Sequence, residues 1–232
     1  MTNVKTDATV VLVHGAWADG SSWSKVTGDL QRRSFNVVAA QIPLTSFSDD
    51  VAVLRRVLLR QEGPVILAGH AYGGAVITAA AAGNPNVKAL IYIAAIVPDE
   101  GETVGDVFHR APAHPSAPKL QPDVDGFLWL NVDAYRSAVA PDASPLETAL
   151  MAATQKPIAF GCLAEPMTTP AWREKPTWFL IAEKDRMLSP ETQRFTAERM
   201  KSKSISLPVD HTPLASRPDA VAELIREAAT NS

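Results

Sequence analysis

The run Gly69-His70-Ala71-Tyr72-Gly73-Gly74 is where residue types and spacing come closest to covalent chemistry. It follows a short apolar run, Val65 to Gly69, and opens an Ala-rich stretch of helical character, Ala75 to Ala82, closed by Gly83. A strand that turns sharply into a helix lifts the residue at the turn above the sheet edge. The turn is strained, and strand and helix pack so closely beneath it that the positions two before and two after must be small. Gly69 and Gly73 meet that need. The residue raised between them is Ala71, which has neither hydroxyl nor thiol, so the chain as it stands cannot form a covalent acyl intermediate there. Cys162, the single cysteine, offers no substitute. Gly161-Cys162-Leu163 supplies no helix N-terminus or basic partner to make a thiolate, and the residue reads as small, buried and apolar.

The elements that must position this turn are visible as alternating patterns. Near-continuous apolar runs at Ala8 to His14, Phe35 to Ala40, Val65 to Gly69, Val87 to Val97 and Thr177 to Ala182, with a weaker one at Ser204 to Leu207, read as strands of a parallel sheet. Helical periods lie between them. Ser46-Phe47-Ser48-Asp49 reads as a capping box opening a helix that buries Phe47, Val51, Leu54 and Leu58 and ends near Gly63-Pro64. Ser189-Pro190-Glu191 places a cap residue before a first-turn proline, and a last helix from Pro218 buries Val221, Leu224 and Ile225. The expected fold is α/β, with a mostly parallel sheet of about six strands and helices on both faces, in one domain over residues 1–232. Residues 98–175 break the rhythm with recurrent proline and predict a small helical cap inserted after the Val87 to Val97 strand, its helices near Asp133 to Val139 and Leu146 to Ala153.

Three further segments carry a family resemblance: Val11-Leu12-Val13-His14-Gly15-Ala16-Trp17, Glu183-Lys184-Asp185-Arg186-Met187 and Asp210-His211-Thr212-Pro213. With the turn at Ala71, they make nearly the whole chain resemble the α/β-hydrolase superfamily, nearest its small capped esterases, the branch similar to plant salicylate-ester esterases and hydroxynitrile lyases. The resemblance implies that Ala71, Asp185 and His211 stand at the nucleophile, acid and base positions of a catalytic triad, in that family's chain order. It also implies an oxyanion hole made by the backbone N–H groups of Ala16 and Tyr72. Trp17 and Tyr72 then lie beside a bound acyl group, and Trp129 is a candidate substrate contact from the cap. Phe127, Tyr135, His109 and His114 are further residues of the insertion that can face a ligand. The simpler reading of His14 and His70 is support of the two loops, and Asp210, adjacent to His211, ranks below Asp185 as the acid.

The implied activity is hydrolysis of a small-molecule carboxylic ester or lactone by acyl transfer, without metal or organic cofactor. An intact acid, base and oxyanion loop around one missing atom reads as a serine replaced by alanine, an inactive form. The alternative is a natural relative that kept the pocket and lost the chemistry. Two other functions stay open. The scaffold also resembles cofactor-free lyases and dioxygenases, although the plant lyases carry lysine where this chain has Thr212, and it resembles hormone receptors that only bind.

Composition narrows the classes further. With 22 Lys+Arg against 25 Asp+Glu, the net charge of −3 is too near neutrality to grip nucleic acid or an anionic membrane. Met1 to Asp7 has no apolar leader, and no run approaches the roughly 20 apolar residues that span a bilayer. One cysteine forms no intrachain disulfide, and a cytoplasmic location is expected. Oligomeric state leaves no mark in the sequence.

Overall fold

The computed structural model describes residues 8–231; the segment Met1 to Asp7 considered above lies outside the described residues. In chain order the elements are β1 (Thr9–Val13), α1 (Ser24–Arg32), β2 (Asn36–Ala40), α2 (Phe47–Leu59), β3 (Val65–His70), α3 (Gly73–Ala80), β4 (Val87–Ile93), α4 (Val104–Phe108), β5 (Phe127–Leu128), α5 (Val132–Ala134), α6 (Pro145–Ala153), β6 (Ile158–Ala159), β7 (Thr177–Ala182), α7 (Pro190–Arg199), β8 (Lys203–Leu207), α8 (Pro213–Ser216) and α9 (Pro218–Thr230). Six strands form one sheet in the order β2-β1-β3-β4-β7-β8, and every pair is parallel. The expected architecture is present: a six-stranded parallel sheet with helices packed on both faces.

Because successive strand side chains point to opposite faces, each central strand feeds two cores. Val11, Val13 and Leu67 pack with α2, α3 and α7, whereas Val10, Leu12 and Ile66 pack with α1 and α9. This explains the unbroken apolar runs, since β1, β3 and β7 are buried at every position. α3 is likewise buried along its whole length, which suits its alanines and glycines.

The structure differs from the expected boundaries in three places. β4 stops at Ile93, four residues short of Val97, because Ala94 turns out of the sheet with φ 46° while its N–H still donates to Leu180 O at 3.0 Å. α2 ends at Leu59, well before Gly63. Its N-terminus carries only half a capping box. Ser46 Oγ accepts the Asp49 N–H at 3.0 Å, but the Asp49 carboxylate turns to the Thr45 hydroxyl at 3.2 Å. The remaining first-turn amides are satisfied from the far side of the chain. Glu165 accepts from Phe47 N at 2.9 Å and from Ser48 N at 3.2 Å, supplying the acceptors and negative charge that a helix start favours.

Glu165 belongs to the segment between β4 and β7. That segment contains α4, α5, α6, the two-stranded antiparallel ribbon β5-β6 and a π-helical turn at Tyr135–Val139. Complete capping boxes begin α4 (Thr103 and Asp106) and α6 (Ser144 and Glu147). Its own small apolar cluster, Leu130, Ala134, Tyr135 and Ala138, joins Met187 beyond β7. Hydrogen bonds tie it to the sheet side: Lys156 Nζ donates to Ile42 O at 2.6 Å, Ala159 N to Leu44 O at 2.9 Å and Arg186 Nη1 to Ser137 O at 2.9 Å.

Backbone packs closely on backbone under the β3–α3 turn. A Cβ on Gly69 would sit 2.6 Å from Gly73 O, and one on Gly73 would sit 2.6 Å from Val13 O and 2.7 Å from His14 O. These neighbours are backbone carbonyls and cannot swing aside. Gly73→Ala is therefore expected to cost about 1–3 kcal/mol, as overpacking does. Thermal denaturation should show a melting temperature lower by several degrees. An unchanged melting temperature would contradict this account of the turn.

Candidate active site

The turn raises Ala71 in the left-handed region, at φ 48°, a conformation that costs a non-glycine residue roughly 1–3 kcal/mol and persists only when its surroundings hold it. Three main-chain bonds do so. Ala71 N donates to Ile93 O at 3.1 Å, and Ala71 O accepts from Gly74 N and Ile96 N, both at 3.0 Å. The Ala71 methyl lines a cavity of about 470 Å³ that is also lined by Ala16, Trp17, Tyr72 and His211. Sheet and cap residues enclose it together, with Leu130, Tyr135 and Met151 contributing apolar surface from the cap.

His211 follows β8, and Asp185 follows β7, so adjacent parallel strands deliver both to the same sheet edge. His211 Nδ1 lies 2.7 Å from Asp185 Oδ2. A carboxylate acceptor at that distance puts the proton on Nδ1 and leaves Nε2 as the basic nitrogen. Asp185 is buried and fully partnered: Oδ1 accepts Met187 N at 2.8 Å and Leu188 N at 2.9 Å, and Oδ2 also accepts Gln193 Nε2 at 2.8 Å. Gln193 in α7 is fixed in turn, its Oε1 accepting Ala182 N at 2.9 Å. Burial by itself would lower the His211 pKa; the adjacent Asp185 carboxylate outweighs it and holds the imidazole above its ordinary 6.5. Asp210 points away from this pair and accepts the Thr212 N–H and hydroxyl, both at 2.9 Å.

The neighbouring histidines make backbone contacts. His70 Nε2 donates to His211 O at 2.7 Å, and burial drives its pKa down to about 3, so it is neutral. His14 accepts the Ile42 N–H through Nε2 at 3.2 Å and donates through Nδ1 to Gly15 O at 2.9 Å; burial lowers it to about 4. Ala16 and Tyr72 both border the cavity, and the main-chain N–H of neither has an acceptor among the described residues. Trp17, at φ 56°, lines the cavity and is clamped by the cap: its indole N–H donates to Leu128 O at 2.9 Å, and its carbonyl accepts the Tyr135 hydroxyl at 3.2 Å.

Trp129 is a correction. Its side chain does not reach the cavity; the indole N–H donates to Asp123 Oδ2 at 2.9 Å and the ring is half exposed. The two-residue strand β5 orients Leu128 inward and leaves Trp129 on the outside. Phe127, His109 and His114 also lie outside the cavity lining, whereas Tyr135 is part of it.

Several participants carried no sequence signal. Gln193 is one. Another is Asp50, a fully buried carboxylate whose Oδ2 accepts the Tyr72 hydroxyl at 2.6 Å and whose Oδ1 accepts Leu44 N at 2.6 Å. Burial raises Asp50 to about 6 against the opposing effect of these hydrogen bonds, and burial pushes the nearby Cys162 thiol up to about 12. At the cavity mouth, Lys25 of α1 donates to Glu147 of α6 at 3.2 Å and to Ala215 O at 3.0 Å. Among the described residues no three His, Cys, Asp or Glu side chains cluster as a metal site requires.

The alpha/beta hydrolase family model matches residues 10–224. The pyrethroid hydrolase of Sphingobium wenxiniae is 27% identical, over 94% of this chain and 86% of its own length. Among solved structures, a pyrethroid hydrolase from Sphingobium faniae superposes with a TM-score of 0.81 at 23% identity, covering 97% of this chain and 98% of that one. Tomato methylketone synthase I, in a variant complexed with β-ketoheptanoate, gives 0.83 at 17% identity, covering 96% and 98%.

The balance at His211 is directly measurable. Asp185→Asn removes the charge and keeps the burial, so the His211 pKa should fall from above 6.5 to below it. NMR titration of the imidazole reads this without any turnover; a value unmoved by the substitution would mean that the carboxylate is not what sets it.

Proposed function

The chain belongs to the alpha/beta hydrolase family, and from that premise we propose that its site is built for acyl transfer from a small-molecule carboxylic ester or lactone. The observation that carries this reading is the buried His211–Asp185 pair, set on the same cavity as the strained turn at Ala71. With Nδ1 held by Asp185, His211 Nε2 can take a hydroxyl proton from a nucleophile at position 71 and return it to the leaving group. The carbonyl oxygen that gains charge in the tetrahedral intermediate would be received by the N–H groups of Ala16 and Tyr72, the latter at the N-terminus of α3. The pyrethroid hydrolase of Sphingobium wenxiniae, as its name describes it, supports a small-molecule ester substrate, and the largely apolar wall fits one with an apolar body.

On this reading Ala71 stands where serine would complete the triad, and the chain is an inactive form. Ala71→Ser should hydrolyse short p-nitrophenyl esters about a million-fold faster than the chain as it stands, the scale on which losing a triad member acts. Adding His211→Ala to that variant should return it to near inactivity. If Ala71→Ser is as inert as the parent across an ester panel, the pocket is a binding site and not an esterase site.

The same missing hydroxyl favours a second reading, in which the chain works as it is. His211 Nε2 then takes a proton directly from carbon next to a carbonyl, and the enolate oxygen lies on the two amides. Its sign is deuterium exchange from solvent into an acidic C–H of a β-keto ester, catalysed by the present chain and lost in His211→Ala. Exchange at the uncatalysed rate removes this reading.

A further inference from the structure

Tyr72 has two ends with different environments. Its main-chain N–H borders the cavity one residue after Ala71, and its side chain runs away from the cavity into the protein. The phenol ends 2.6 Å from Asp50 Oδ2, and the ring meets Phe47 edge-on at 6.5 Å between centroids. Tyr72 is 2% exposed and Asp50 fully buried, so neither side chain can exchange its partner for water.

Asp50 accepts from three parts of the chain. Oδ1 takes Leu44 N at 2.6 Å from the loop after β2, and Oδ2 takes the Tyr72 hydroxyl together with the Cys162 thiol at 3.8 Å from the cap segment. The carboxylate therefore joins the turn, α2 and the cap at one point. α2 itself is pinned at its start by Glu165 of the cap, so Asp50 is carried on a held helix. The Tyr72 N–H has no acceptor of its own among the described residues; its peptide is held at one end by Gly74 N and Ile96 N donating to Ala71 O, which leaves the Tyr72 side chain as the anchor on the other side. Fixing the phenol end of a rigid two-torsion side chain restricts the rotation of the peptide that bears it.

We propose that Asp50 is a positioning residue for the oxyanion hole: through the Tyr72 phenol it fixes the direction of the Tyr72 main-chain N–H. A carboxylate suits the position because all its neighbours donate, and it meets them with two acceptor oxygens. Asparagine would present an NH₂ group to at least one of those donors. The assignment rests on the reading of the Ala16 and Tyr72 amides as anion donors, and its test needs no esterase turnover.

The test uses the chain with Ala71 in place. Amide resonances of Ala16 and Tyr72 are recorded in the parent, in Asp50→Asn, in Tyr72→Phe and in the double variant. Calorimetry compares 4-phenylbutyrate, whose carboxylate can lie on the two amides, with 4-phenylbutanol, which has the same body and no charge. The expected result is a displaced Tyr72 amide signal in Asp50→Asn, and in all three variants about a tenfold weaker carboxylate affinity with alcohol affinity changed less than twofold, the size of one charge-assisted hydrogen bond. The double variant should lose no more than the worse single one, because the two residues act as a unit. Equal weakening of both ligands, or additive losses, would assign the pair an ordinary packing role. An unmoved Tyr72 amide signal in Asp50→Asn overturns the proposal whether or not either ligand binds. Inactivity of Ala71→Ser toward esters touches only the hydrolytic reading and leaves these measurements intact.

Discussion

The structure depends on how closely β3 and α3 approach beneath the turn that joins them. Without side chains at Gly69 and Gly73 the strand and helix backbones nearly touch, and the chain between them can reverse only by placing Ala71 in the left-handed region. That conformation is unfavourable, so the surroundings must fix it, and they do so with bonds from β4, from the residues after it and from α3 itself. The strain has company. Trp17, Leu44 and Ala94 are also non-glycine residues at positive φ, in loops that follow β1, β2 and β4. Four successive strand ends along one side of the sheet thus carry the backbone distortion that such sites concentrate.

Parallel topology does the remaining assembly. A sheet in which all strands run one way brings every strand's C-terminal end to one edge, and the loops from β1, β3, β7 and β8 supply Ala16, Ala71, Asp185 and His211. Ala71, Asp185 and His211 are then held by main-chain or buried side-chain bonds. Asp185 is a clear case, with two amides, a glutamine and a histidine sharing its two oxygens, so that its charge is stabilised without solvent and its direction is set.

The strands and the turn were legible in the sequence because each has a local signature, and the Asp185–His211 pair through the resemblance of the segments that follow β7 and β8. Buried parallel strands give unbroken apolar runs, the turn demands glycine two places either side, and Asp185 and His211 sit directly after strands. What was not legible depends on residues far apart in the chain. Glu165 caps a helix that starts over a hundred residues earlier, and nothing near Asp50 foretells that its partner is Tyr72. Trp129 lies outside the cavity at Ala71 for a related reason. In a strand of two residues a shift of one place decides inside from outside, and periodicity cannot be read over so short a stretch.

The Glu165 contact constrains traffic as well as stability. Swinging the cap away as a rigid door would strip Phe47 N and Ser48 N of their acceptor, and it would break the Lys156 and Ala159 bonds to the loop that leads into α2. The side of the cap near β6 is therefore a hinge post. Between α1 and α6 the cap meets the body through Lys25 and Glu147, a half-exposed ion pair of a kind that contributes about 0–1 kcal/mol in water, while Asp142 N donates to Asp210 Oδ2 at 3.1 Å and ties the chain just before α6. Lys25 and Glu147 both line the cavity, so the rim between α1 and α6 is closed by a contact that water already competes for.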